Sequence, residues 1–238
     1  MSDWIYGFFM AWGMFLTIPC PKKIWRESAR RKMLACLPLI GLIVGGIWAL
    51  CAWLGSFLPQ PLAALLCAAA PWLITGFMHL DGYMDVCDAV LSRRDLETRQ
   101  RILKDSHCGA FAVICLMLLT LCQWAVFLSA EALPLWPLAP HRRQGAWPFL
   151  PRRPMSTSQY SAMTRGGAPV VFAAIVLAAV CGLSVLLWDS FAPLAAAVCY
   201  WLAAWYAFRQ LDGMSGDVSG FALTIAELGG AAVLVLWR

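Results

Sequence analysis

The sequence predicts an all-α fold, a polytopic transmembrane helix bundle of about six to seven spans forming one integral-membrane domain over residues 1–238. Three observations predict it. Hydrophobic residues make up 61% of the chain and charged residues 13%, where a soluble domain carries about 45–50% and about 25%. Apolar runs long enough for a membrane helix recur along the sequence, and the basic residues gather between those runs rather than scattering. With 18 basic and 13 acidic side chains there is too little charge to clothe a soluble globule. Disorder is excluded by the apolar content, and collagen by the lack of any Gly period.

A helix needs about 20 apolar residues to cross a hydrocarbon core of about 30 Å. The opening run, residues 4–18, is short for that and is expected to lie in the interface or to penetrate partway. Met1-Ser2-Asp3 offers no basic segment of the kind that begins a signal peptide, so this run is expected to stay in the mature chain. Residues 33–58 and 61–80 each read as a crossing, with a turn around Pro59-Gln60-Pro61 between them. Residues 109–130, 168–188 and 191–208 follow, and 221–237 is slightly short.

Orientation comes from the Lys and Arg residues: six within 22–32, five within 93–104 and five within 142–165, with Arg209 and Arg238 outside. Clusters of this kind stay on the cytoplasmic side, so the formal charge of +5 is a topology signal for a bacterial inner membrane and not a nucleic-acid footprint. Residues 81–107 are then cytoplasmic. After the outward run 109–130, the third cluster faces the cytoplasm only if something within 131–151 crosses back. That stretch holds Pro134, Pro137, Pro140, Pro148 and Pro151 beside His141, Arg142 and Arg143, a poor composition for a bilayer helix. Parity is preferred here, because a return crossing also brings 209–220 to the side of 81–107.

The most informative stretch is His79-Leu-Asp-Gly-Tyr-Met-Asp-Val-Cys-Asp88. Asp81, Asp85 and Asp88 stand at i, i+4 and i+7, which on a helix places them within an arc of about 60°. Carboxylates so close repel one another unless a cation holds them, and oxygen donors suit a hard ion such as Mg²⁺. The alternative is a solvated loop whose acids pair with Arg93, Arg94, Arg99 and Arg101.

Lys104-Asp-Ser-His-Cys-Gly109 brings a cation and a carboxylate to a helix start whose amides can receive a phosphate. Equally, Asp105 or Ser106 caps that helix, and His107 has no evident partner in the sequence. Leu211-Asp-Gly-Met-Ser-Gly-Asp-Val-Ser-Gly220 echoes the first motif. Gly213, Gly216 and Gly220 permit close approach to a bulky ligand and Asp217 adds a carboxylate, the alternative being a plain turn. Glu227 lies within an apolar run, where an acid is costly and marks a functional site. The ten cysteines read as small apolar filler, Cys87 standing apart because it lies between two of the aspartates. Seven of the 13 acids fall in these blocks on one inferred face. That pattern suits phosphoryl-type transfer, which needs charge neutralisation and positioning more than a protein nucleophile.

With these blocks in hand, the chain resembles the cobalamin synthase family, the adenosylcobinamide-GDP ribazoletransferases, nearly end to end. The resemblance is carried by Phe15-Leu-Thr-Ile-Pro-Cys-Pro21, Leu37-Pro-Leu-Ile-Gly41, His79-Leu-Asp-Gly through Asp85 and Asp88, Lys104-Asp-Ser with Gly109, and Gly216-Asp217 with Gly220 and Glu227-Leu228. It implies a Mg²⁺-dependent transfer in which a hydroxyl of α-ribazole, or of its 5′-phosphate, attacks adenosylcobinamide-GDP and GMP leaves. By the same resemblance Asp81, Asp85 and Asp88 hold the metal and Lys104 offsets developing charge. Asp105, Asp217 and Glu227 are candidates for a second metal position or for orienting the nucleophile, and His79, Gly82, Ser106, Gly109, Gly216 and Gly220 for contacting substrate. The expected partners are these small molecules and the lipid bilayer, with no nucleic acid and with room for a homo-oligomer.

The chain departs from the family pattern at Ala89 and Ala112, and more seriously over 140–154, where a composition break replaces an apolar span and reads as a locally shifted reading frame. A phospholipid synthase of the CDP-alcohol phosphotransferase type is the competing enzyme, but its Asp-Gly-x-x-Ala-Arg pattern is missing after Gly82. An ion or proton transporter is the competing non-enzyme, and it would carry more acids in mid-span than Glu227 alone.

Overall fold

The structure is a computed structural model that describes residues 2–130, 178–179, 181–186 and 190–236. Its described residues form helices joined by turns: α1 (Asp3–Phe15), α2 (Arg30–Ala35), α3 (Leu37–Gly55), α4 (Gln60–Ile74), α5 (Met78–Leu91), α6 (Leu96–Ile102), α7 (Ala110–Leu128), α8 (Ala192–Leu211) and α9 (Gly216–Leu236). Among the described residues α3, α7 and α9 are each long and apolar enough to cross a membrane, and α4 with α5 would make a fourth, broken crossing. The return crossing expected within 131–151 and most of 168–188 lie outside the described residues. Phe111, Ile114, Met117, Leu118 and Leu121 are exposed along α7, as are Leu39, Leu42, Leu50 and Trp53 along α3. Such apolar outer faces are suited to hydrocarbon rather than water.

The crossing expected over 61–80 is broken. α4 stops at Ile74, and α5 leaves at 91° to it. The amide of Phe77 donates to the Trp72 carbonyl at 2.9 Å and that of Gly76 to the Leu73 carbonyl at 3.3 Å, the paired bonds of a Schellman ending. Gly76 takes φ +64° as that ending requires, and Phe77 follows at φ +61°, an uncommon conformation for a residue with a side chain. From upstream, Thr17 closes what remains: its amide donates to the Ile74 carbonyl at 2.8 Å and its hydroxyl to the Leu73 carbonyl at 3.0 Å. The sequence pattern missed this break because the apolar run continues through Leu80 without a charge.

Helix α5 is about 21 Å long, too short to cross by itself, and its contacts run antiparallel along the first turns of α9 and α7. Its later turns reach one end of the bundle, where Asp88 covers Gly109 before α7 and Gly82 abuts Asp217 in the first turn of α9. We call this the polar end. α7 and α9 both start from it, and α8 returns to it; α7 therefore ends, and α8 begins, at the opposite end.

Helix α1 is also tied to the polar end. Asp3 at its start accepts from Lys32 Nζ at 3.4 Å, just ahead of α3, and Thr17 beyond its finish holds the last carbonyls of α4. Gly7 allows this lie, since a Cβ there would stand 2.9 Å from the Lys32 carbonyl carbon. Arg26 over Tyr6 at 4.2 Å and Lys32 over Trp4 at 5.7 Å bring the first basic cluster back onto α1. At 13 residues α1 is too short to be a span.

Two apolar clusters fill the interior. One joins α1, α3 and α4 with Phe127, Ala231 and Val235; within it Trp48 Nε1 donates to the Cys67 carbonyl at 2.9 Å. The other joins α5, α7, α8 and α9 with Trp72. Small residues bring α8 and α9 together, a Cβ on Gly230 falling 3.0 Å from that of Ala196. All ten cysteines are free, and Cys87 is buried within the second cluster as filler.

Candidate active site

The expected crossing over 221–237 begins five residues earlier, because Gly216–Gly220 continue as the first turn of α9 rather than forming a loop. Ser215 starts that turn, its hydroxyl accepting from the Val218 amide and donating to Asp217 Oδ2, each at 3.2 Å. A cap of this kind orients Asp217 at a helix N-terminus, where a negative charge is favoured.

The first turns of α9 lie directly on α5. A Cβ on Gly82 would fall 2.8 Å from Asp217 Cα, and one on Gly220 would fall 3.0 Å from the His79 carbonyl oxygen. The single hydroxyl proton of Thr224 is shared between the Gly220 carbonyl oxygen at 2.9 Å and that same His79 oxygen at 3.2 Å. Tyr83 stacks on Phe221 with ring centres 5.6 Å apart and planes 9° apart. Gly82 and Gly220 are therefore the contact between the two motifs, and His79 takes part through its backbone. Gly216 is exposed, with open space where a Cβ would stand.

This contact gathers carboxylates from distant parts of the chain. Burial first, then the charges of Asp81, Asp217 and Asp88, push Asp85 up to about 6 from an ordinary 3.8. Asp81, Asp217 and Asp88 thus lie near enough for their charges to act on Asp85. Among the described residues none of Asp81, Asp85 and Asp88 forms an ion pair with Arg93, Arg94, Arg99 or Arg101, and Arg99 donates instead to Gln210 Oε1 at 2.7 Å. The solvated-loop alternative thus loses its partners.

Among the described residues no three acids, histidines or cysteines converge tightly enough to cage a metal ion. The donor set is nonetheless all hard oxygen, and Mg²⁺ is ordinarily held by one or two carboxylates together with phosphate oxygens and water. The residues fit an ion shared with a phosphate ligand better than an ion held by protein alone.

Lys104, Asp105 and Ser106 are exposed in the turn between α6 and α7. The helix start they precede is capped by Gly109 without any side-chain bond, which corrects the capping expected of Asp105 or Ser106. Asp105 turns instead to His107, accepting from its amide at 3.1 Å and meeting Nδ1 at 2.6 Å; His107, expected to be alone, has a partner. The hydrogen bond to Asp105 raises the imidazole above its ordinary 6.5 and lowers the carboxyl below its ordinary 3.8. The pair holds while Asp105 is ionised and His107 protonated, so it weakens as pH rises through the raised imidazole value and as pH falls through the lowered carboxyl value. In pH-dependent imidazole NMR shifts His107 should titrate above 6.5 and drop back toward that value in Asp105→Asn; an unmoved midpoint would remove the pair.

Glu227 lies deeper, 6% exposed, with Oε2 accepting from Trp72 Nε1 at 3.2 Å. Sequence reasoning singled out Glu227 but missed Trp72, Thr224 and Thr17. Thr224 was within reach, since Asp217, Gly220, Thr224 and Glu227 stand at i, i+3, i+7 and i+10, a single helical stripe.

Comparison with known proteins gives the family. The family model described as cobalamin-5-phosphate synthase matches residues 7–235. Among the most similar relatives, the adenosylcobinamide-GDP ribazoletransferase of Clostridium botulinum (strain Alaska E43 / Type E3) is 37% identical over 97% of each chain. That of Clostridium perfringens (strain 13 / Type A) is 34% identical over 94% of this chain and 95% of its own. The one from Geobacillus kaustophilus is 31% identical over 97% and 95%. No solved structure matches the chain.

Proposed function

Because this chain belongs to the cobalamin-5-phosphate synthase family, we propose that it is an adenosylcobinamide-GDP ribazoletransferase, joining adenosylcobinamide-GDP to α-ribazole or α-ribazole 5′-phosphate with release of GMP. The observation that supports this reading best is the packing of Gly82 against Asp217, which sets the carboxylates of both motifs on one surface at one end of the bundle. Bundle and basic clusters are read with that polar end in the cytoplasm of a bacterial inner membrane, where large polar substrates reach it, and with about six to seven crossings in all.

The hydroxyl oxygen of the acceptor bonds to the cobinamide-side phosphorus as the bond from that phosphorus to GMP breaks. Asp81, Asp85 and Asp88 would hold Mg²⁺ against the diphosphate. When bound, the ion supplies charge neutralisation and an electrophilic phosphorus. Asp217, oriented by Ser215, takes the hydrogen bond of the attacking hydroxyl and then its proton. Lys104 meets the charge that develops on the departing GMP, and the turn from Ser106 to Gly109 offers amides to phosphate oxygens. Asp105 fixes His107 in that same turn. Most of this is positioning and electrostatics, which is what transfer at phosphorus requires.

The direct test is GMP release. Purified protein with Mg²⁺ is expected to release GMP from adenosylcobinamide-GDP only when α-ribazole or its 5′-phosphate is present. Release without acceptor would make it a hydrolase and defeat the reading.

A further inference from the structure

One stripe of α9 grips both sides of the bend between α4 and α5. Before the bend, Trp72 gives its indole N–H to Glu227, and its carbonyl receives the Phe77 amide that closes the Schellman turn. After the bend, the His79 carbonyl receives the Thr224 hydroxyl and rests against Gly220. One turn further, Gly82 meets Asp217. Two consecutive residues at positive φ, Gly76 and Phe77, join these anchored points. A left-handed phenylalanine is a strained choice that persists where its surroundings over-determine it, and the anchors on either side do so. The direction in which α5 leaves α4, and with it the direction of Asp81, Asp85 and Asp88, is therefore set from α9.

We infer that Glu227 and Thr224 are positioning residues, holding the aspartate-bearing helix at its working angle through Trp72 and His79. Glu227 acts as a buried hydrogen-bond acceptor and does not meet substrate. This rests on the reading of the aspartate face given above, and it departs from the expectation that Glu227 holds metal or orients the nucleophile.

Four variants test it. Glu227→Gln keeps an amide oxygen for the indole and should retain turnover. Glu227→Leu, Trp72→Phe and Thr224→Val should each lower kcat about 10- to 100-fold, the scale of a misplaced reacting group, with KM for adenosylcobinamide-GDP little changed. Glu227→Leu combined with Trp72→Phe should cost less than the two separate losses added together, because the contact between them is shared. Spin labels at Ser92 and Gly216, in a background freed of native cysteines, give a readout independent of substrate. Their distance distribution should stay narrow in Glu227→Gln and broaden in Trp72→Phe and Thr224→Val. If Glu227→Gln is as inactive as Glu227→Leu while Trp72→Phe turns over normally, Glu227 acts on substrate or ion and the inference is overturned. Unmoved label distances in Trp72→Phe and Thr224→Val overturn it equally. A wild type that releases no GMP defeats the functional reading, and the label distances then still decide this one.

Discussion

Asp85→Asn is expected to lower turnover by at least about 100-fold, the scale seen when one preorganised electrostatic group is removed, while making the metal-free protein harder to melt. The two effects have opposite signs for one reason. Asp85 stands among Asp81, Asp88 and Asp217, and both burial and their charges oppose its ionisation. An acid raised in the folded state works against folding at pH values above its shifted value, and an amide of the same shape removes that repulsion. With EDTA present at pH 8, Asp85→Asn should therefore unfold at a higher temperature than wild type. Added Mg²⁺ should stabilise the wild type more than the variant, through its preferential binding to the folded state. Loss of activity together with loss of stability would instead make Asp85 a packing residue.

Gly82→Ala should be strongly damaging, at about 1–3 kcal/mol of stability together with turnover. Its new Cβ would meet Asp217 at Cα and at the carbonyl oxygen, 2.8 and 2.9 Å away, and backbone cannot swing aside as a flexible side chain does. α5 and α9 would have to part, carrying the two groups of carboxylates away from each other. Gly216→Ala is the matched control. It meets nothing within 4 Å, so stability should hold or rise slightly as alanine replaces glycine in a helix. If Gly216 lies against substrate, its alanine variant raises KM without lowering the melting temperature. Equal melting temperatures for Gly82→Ala and wild type would show that the contact between α5 and α9 is looser than described.

Several parts of this arrangement were legible in the sequence. The aspartate spacing named the face of α5 before its neighbours were known, and the echo between the two Leu-Asp-Gly motifs pointed to a shared surface. Glu227 stood out because an ionisable group in an apolar run is conspicuous. Others were hidden for physical reasons. The bend at Gly76-Phe77 leaves hydropathy unbroken, since its carbonyls are satisfied by two neutral threonine hydroxyls, Thr17 and Thr75, and by no charged group. Composition treats Trp72 as filler, and only the structure shows its indole facing an acid 155 positions away. His107 and Asp105 are two residues apart, and that pairing was open to inspection; the familiar capping role drew attention from it.

The lock between α9 and α5 also bears on how the protein is made. Thr224 and His79 are 145 positions apart, so at ordinary translation speeds the aspartate helix waits on the order of 10 s for its partner. Thr17, made before either, is ready to hold the end of α4 as soon as that helix emerges. A nascent or truncated chain can thus insert its early helices and carry every residue of the first motif, yet it has nothing to aim α5 and no Asp217 to face it. Under the function proposed above, competence therefore arrives only with α9, the helix that brings Asp217.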